Sequence, residues 1–357
     1  MTRKTPVRSQ VFTRISLGNR DVGHLLRLTG LMVPERIIRV ATLACVIALG
    51  ASGCSDASGP PSAGTSSSAR TSAGETTTGT RSAPTASTAP TRPGAVTKVL
   101  VFVEENHSLG EMRAGMPYTY GLARRFGYAT HYTAVGHPSL PNYIAIAGGQ
   151  TYGITNDDPP LANPVRGTSV FGQAVASGRT AALYAEGMPA NCATSDGGSE
   201  YAVKHNPWAY FLNTQGVDER AACRKYDVPV DQLGGAISGG TLPNVGMVIP
   251  NLCHDGHDCS LGTADTWFKG WMTTVSQGQD WKSGHLAVVL TADEDDRSAG
   301  NTVLTVVIHP SQKAHVVTTA LTHYSLTRLY EEVAGMPYLF GAASAPSMTT
   351  AFGLPLR

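Results

Sequence analysis

"KVLVFVEEN", residues 98–106, is the stretch on which the fold turns. Residues 98–103 are a short apolar run rich in β-branched side chains, the pattern of a buried strand. Glu104, Glu105 and Asn106 follow it at once. The same pattern recurs further along. "VGMVI" (245–249) runs into "PNLCHDGHDC" (250–259), and "HLAVVLTA" (285–292) runs into "DEDD" (293–296). "TVLTVVI" (302–308) is a fourth such run and "TAALYAE" (180–186) a fifth. Helical stretches fall between them, around 117–126, 140–147, 169–176, 264–275 and 325–334. Strands alternating with helices predict an α/β fold, a mainly parallel sheet flanked by helices on both faces.

In an open sheet of this kind, ligands bind outside the carboxyl ends of the strands. Three strands here end directly in carboxylates, amides or histidines. Carboxylates brought to one edge repel unless a cation or a shared proton intervenes. A divalent metal is therefore expected. Hard oxygen ligands favour Ca, Mg or Mn, and added histidines admit Zn or Fe.

"GHPSLPNYIAIAGG" (136–149) supplies a possible nucleophile. A helix starting near Leu140 puts Ser139 at its N-cap, the common position for a serine before an apolar run. The alternative is a nucleophile set where a helix end attracts anions. A serine beside a metal and a helix N-terminus is an arrangement for phosphoryl transfer. The metal lowers the alcohol's pKa and shields phosphate charge. A phosphoserine would form and be cleaved by water, with a histidine protonating the leaving oxygen.

Six motifs occur in order: "VEENH" (103–107), "HPSLPNY" (137–143), "KHNPW" (204–208), "PNLCHDGHDC" (250–259), "DEDD" (293–296) and "THYS" (322–325). Over residues 96–337 the chain resembles the bacterial phosphoesterase family of secreted acid phosphatases and phospholipases C, within the alkaline phosphatase superfamily. The resemblance implies an alkaline-phosphatase-like fold and roles for individual residues. Glu105, Asn106, Asp293 and Glu294 would bind the metal. Ser139 would be both nucleophile and metal neighbour. His205 or His257 would be the leaving-group acid. Lys204, His137, Asn142, Asp255 and His323 would lie on the substrate side. One departure is His309, where a small residue is expected.

The activity implied is that of a metal-dependent phosphomonoesterase of acid phosphatase type, acting on phosphate esters, with phosphoinositides among the candidates. The chain ends soon after "THYS", whereas the phospholipase C members are longer, and Lys204 near two histidines suits a dianionic phosphate. Two rival readings are a phospholipase C-like phosphodiesterase and a non-catalytic cell-surface binding protein. A serine carboxylesterase is disfavoured, because no G-x-S-x-G elbow surrounds Ser139. Asp295 and Asp296 read as a solvated turn, and Trp208, Tyr210 and Phe211 as core packing.

The rest of the chain sets the context. Residues 1–54 read as a signal segment, with arginines, an apolar run and small residues ending at Cys54. A start at Met32 would give a more compact signal. "ASGC" (51–54) resembles a lipobox without its usual leucine, which makes Cys54 a lipidation candidate and the membrane a partner. Residues 55–95 are Ser, Thr, Ala, Gly and Pro with few charges, and read as a disordered tether. Residues 96–357 then form the phosphoesterase domain, exported and either lipid-anchored outside the cell membrane or secreted. A formal net charge of +1 on 357 residues gives no sign of a nucleic-acid surface. Four cysteines remain in the domain, an even number that suggests disulfides in an exported chain. Cys192–Cys223 with Cys253–Cys259 closes the shortest loops. A zinc site is the rival, but no C-x-x-C pair is present.

Overall fold

A computed structural model describes residues 94–357. The signal segment, Cys54 and all but the last two residues of the tether lie outside the described residues. In chain order the elements are β1 (Lys98–Glu104), α1 (Leu109–Gly115), α2 (Pro117–Arg125), β2 (Gly127–Ala129), β3 (Tyr132–Thr133), α3 (Ser139–Gly148), α4 (Val170–Ala176) and β4 (Ala181–Ala185). Next come α5 (Glu219–Tyr226), β5 (Asp227–Pro229), α6 (Asp231–Ser238), β6 (Val245–Ile249), α7 (Leu261–Gln277), α8 (Gln279–Lys282) and β7 (Leu286–Ala292). The last are β8 (Thr305–Ile308), β9 (His315–Val317), β10 (Leu321–Thr322), α9 (His323–Ala334) and α10 (Met348–Phe352).

Eight strands form one sheet in the order β5-β4-β6-β1-β7-β8-β2-β9, and β10 pairs with β3 in a separate ribbon. The α/β expectation is met, and the sheet is mainly parallel. The exception is β8, antiparallel to both of its neighbours, β7 and β2. The three runs that end in polar clusters, β6, β1 and β7, are adjacent and parallel, with Val99 opposite Val245 on one side and Ala287 on the other. Helices cover both faces, so these strands are buried along their length.

The reversed direction of β8 also accounts for His309. It follows Ile308 at the edge opposite the polar clusters, where Nε2 meets the Gly284 carbonyl (2.9 Å) and Nδ1 meets Ser311 Oγ (2.8 Å). The unexpected histidine is a buried fastener and does not intrude on the clusters. The same edge holds both ends of the described chain. Val96 N–H, two residues before β1, donates to the Pro355 carbonyl (2.7 Å).

Both expected disulfides are present, Cys192–Cys223 and Cys253–Cys259. Among the described residues, the one group of three His, Cys, Asp or Glu whose ligand atoms lie within 4.8 Å of one another is Cys192, Cys223 and Asp227. Its two sulfurs are already joined, which removes zinc as a reading of these cysteines. Trp208, Tyr210 and Phe211 are core, with Trp208 stacked on Phe171 at 5.0 Å.

Candidate active site

The ends of β6, β1 and β7 are stitched together by the backbone. Glu105 N–H donates to the Asp255 carbonyl (2.9 Å), and Asp293 N–H to the Glu104 carbonyl (3.0 Å). Asn106 then takes φ +56°, a left-handed conformation that asparagine tolerates better than most residues. This turn aims its N–H at Asp293 Oδ1 (3.1 Å) and its Nδ2 at Glu105 Oε1 (3.2 Å).

Ser139 is the first residue of α3, and Pro138 is the N-cap. The serine side chain makes no cap bond. Its hydroxyl donates to Glu105 Oε1 at 2.5 Å, and Lys204 Nζ donates to its oxygen at 3.3 Å. The N-cap expectation is thus replaced by a hydroxyl turned into the polar cluster. Every residue of α3 is buried. The helix ends on Gly149 at φ +71°, where a Cβ would stand 2.5 Å from the Leu339 carbonyl oxygen.

Glu105 Oε1 is the hub. Besides Ser139 it faces His205 Nε2 at 3.1 Å and Lys204 Nζ at 3.5 Å. Its other oxygen accepts from the Tyr143 hydroxyl at 3.2 Å. Burial alone would raise this carboxyl, but His205 and Lys204 overcome that and lower it to about 2. His205 is the mirror case. Burial disfavours its charge, yet Glu105 on one ring nitrogen and Asp255 on the other (3.3 Å) lift it to about 10. The Tyr143 ring stacks on the imidazole at 5.0 Å.

Asp293 and Glu294 close the cluster from β7. Asp293 Oδ1 accepts the N–H groups of Asn106 and Glu294, while Oδ2 is buried without a hydrogen-bond partner. Burial, then the charges of Glu105 and Glu294, push Asp293 well above the usual carboxylate range. An unsatisfied oxygen among repelling carboxylates is what a hard divalent cation relieves. Glu105, Asn106, Ser139, Asp293 and Glu294 fit such an ion by donor type. The three carboxylates do not bring one oxygen each within 4.8 Å of the other two; the Ser139 hydroxyl and the Asn106 amide add oxygen donors beside Glu105.

The remaining expected residues fall into two groups. His137 bridges Glu294 (3.1 Å) and Asp295 (3.2 Å), and Asn142 Nδ2 donates to Glu294 Oε2 (3.0 Å). Both therefore contact the candidate metal carboxylate. Asp255 orients His205 and also accepts the His257 N–H (2.8 Å). His257 is exposed, its Nδ1 on Asp258 at 2.6 Å and its ring centre 6.3 Å from that of His205. His323 lies behind the site, with one nitrogen at the Asp293 carbonyl (2.6 Å) and the other at the Tyr132 hydroxyl (3.1 Å). Burial lowers it to about 4. With both nitrogens used inside the fold, it supports Asp293 instead of facing a substrate.

Three contributors carried no sequence signal of their own. Tyr143 looks like one more aromatic of a buried helix. Asp157 sits in an irregular loop, yet accepts the Leu140 N–H (2.9 Å) and faces Lys204 (3.5 Å). Asp295, expected in a solvated turn, is buried and accepts the N–H groups of Arg297, Ala299 and Asn301. Asp296 is exposed, as expected.

A hydroxyl at the start of a buried helix, beside a lysine and a carboxylate cluster at the carboxyl edge of a parallel sheet, suits phosphate-ester chemistry, and the chain is a hydrolase of phosphoric esters. It belongs to the phosphoesterase family, whose model matches residues 101–337. It is 30% identical over 261 residues to the phosphatidylinositol-3-phosphatase of Mycobacterium tuberculosis, covering 71% of this chain and 82% of that protein. It is 28% identical over 229 residues to the phosphate-repressible acid phosphatase of Penicillium chrysogenum, covering 61% of this chain and 54% of that one. The chain thus spans about half the length of the fungal relative. Among solved structures, a protein of the alkaline phosphatase superfamily from Vibrio parahaemolyticus aligns with a TM-score of 0.49 at 10% identity, over 73% of this chain and 72% of that one.

Proposed function

We propose that the chain is a metal-dependent phosphomonoesterase in which Ser139 attacks phosphorus and carries the phosphoryl group before water releases it. The observation that carries this is the Ser139 hydroxyl itself, turned away from capping and set between Glu105 and Lys204. Glu105, Asn106, Ser139, Asp293 and Glu294 would hold the divalent ion. When bound, that ion supplies charge to the attacking oxygen and to the phosphoryl oxygens.

The chain's own groups do the rest. Glu105 orients the hydroxyl, and Lys204 brings a positive charge to the side from which phosphate arrives. His205, clamped between Glu105 and Asp255 and covered by Tyr143, keeps Glu105 in place. That leaves His257 as the proton donor to the leaving alcohol. It is the exposed histidine of the pair, and Asp258 on Nδ1 leaves Nε2 available. Phosphomonoesters, phosphoinositides among them, are the proposed substrates, in keeping with the mycobacterial relative's name. The test is Ser139→Ala assayed against p-nitrophenyl phosphate. Turnover should fall by at least about a thousandfold, ~4 kcal/mol in barrier, with the melting curve unchanged. Activity within about tenfold of wild type would refute the nucleophile.

A further inference from the structure

Two donors beside Ser139, one next to it in sequence and one in space, are already engaged. Leu140 is the residue after the nucleophile, and its N–H is one of the free amides at the start of α3. That N–H donates to Asp157 Oδ1 (2.9 Å). Lys204 Nζ, 3.3 Å from Ser139 Oγ, has Asp157 Oδ2 at 3.5 Å on its other side. One carboxylate thus engages both the helix-end amide and the ammonium that a phosphoryl group on Ser139 would use. Asp157 and Lys204 remain partly open to solvent, with 31% and 21% of their side chains exposed.

We infer that Asp157 is a built-in competitor of the phosphoryl group: it occupies the donors at Leu140 and Lys204, and so sets how much negative charge the site accepts and how readily phosphate leaves. This rests on the reading of Ser139 as nucleophile. A carboxylate and a phosphate share the same donors and repel each other, more strongly as the phosphate carries more charge. The penalty therefore falls harder on a dianionic monoester, and on the inorganic phosphate it yields, than on a monoanionic diester. Asp157 costs affinity for the substrate and in return keeps the product from being trapped.

Asp157→Asn separates this from a structural role. The amide keeps an acceptor for the Leu140 N–H, so the start of α3 is preserved, and only the charge is removed. Inorganic phosphate binding is measured by calorimetry in a Ser139→Ala background, with and without Asp157→Asn. The added change should tighten binding about tenfold, ~1.4 kcal/mol. In the Ser139 enzyme, the same substitution should raise kcat/KM for p-nitrophenyl phosphate relative to its bis-p-nitrophenyl analogue. Equal or weaker phosphate binding, or an unchanged monoester-to-diester ratio, overturns the inference. Full turnover by Ser139→Ala alone overturns the nucleophile instead, so the two failures are distinguishable.

Discussion

Asp227→Asn should make the protein more stable, by an amount that grows as pH rises from about 4 to about 8. Asp227 opens β5 beside the Cys192–Cys223 bridge and is fully buried. Its oxygens receive the Asn206 Nδ2 group at 2.9 and 3.1 Å, while Asn206 Oδ1 is buried with no donor at all. A proton on Asp227 removes its buried charge and leaves one oxygen to accept from Asn206 Nδ2. Burial raises the carboxyl to about 8, against about 3.9 in an unfolded chain. Between those values the folded protein holds a proton that the unfolded chain has released. The stability this contributes is fully present below about pH 4. It is lost as pH rises through about 8, at up to ~1.4 kcal/mol per pH unit and ~5.6 kcal/mol in all. Asparagine carries no such proton and can reproduce the neutral pairing. Urea denaturation at fixed salt from pH 4 to pH 8 measures the gap between variant and wild type. The variant's advantage should grow across that window by several kcal/mol, up to the ~5.6 just given. Glu219 and Glu331, also raised by burial, to about 7 and about 8, are the same in both proteins and cancel. A gap that stays flat with pH would show that Asp227 is ionised in the fold and that the argument is wrong.

Exhaustive chelation should abolish hydrolysis, and Ca, Mg or Mn should restore it; Asp293→Asn should lose bound metal by elemental analysis as well as activity. Replacing Cys253 and Cys259 by serine should cost about 2 kcal/mol for so short a loop. It should lower kcat/KM by at least tenfold (~1.4 kcal/mol), because Asp255 and His257 ride on that loop. Denaturation and initial rates on one preparation check both figures. Cys54→Ser should move the protein from the membrane fraction to the soluble one; a wild type that is already soluble would refute lipid attachment.

Much of this architecture was legible because burial leaves a plain mark. β1, β6 and β7 are apolar along nearly their whole length, so each stands out, and a carboxylate or amide placed directly after such a run has few places to go but the sheet edge. Direction was not legible. β8 is as apolar as its neighbours, and nothing in "TVVI" says that it runs backwards. Strands of two or three residues, such as β2, β3, β5, β9 and β10, are too short to show a period. Ser139 was ambiguous for a physical reason: a cap and a nucleophile both require a helix to start there, and only the position of Glu105 in space separates them. Asp157 was invisible because its partners come from other segments of the chain: the contact with Leu140 spans 17 positions, and Lys204 lies in a separate stretch further along. His323 was misplaced because "THYS" fixes its neighbours in sequence, while its role depends on a backbone carbonyl 30 positions earlier.

The hydrogen bond from Val96 to Pro355 has a consequence for orientation. Both ends of the described chain leave from the amino edge of β1, while Ser139 and its neighbours stand at the carboxyl edge, seven residues of extended strand away. At about 3.3 Å per residue the strand separates the two by roughly 23 Å. A resin or fusion partner joined directly at either end of the described residues meets the amino edge of the sheet. The phosphoryl site then faces away from its own support. Esters in solution approach it head-on.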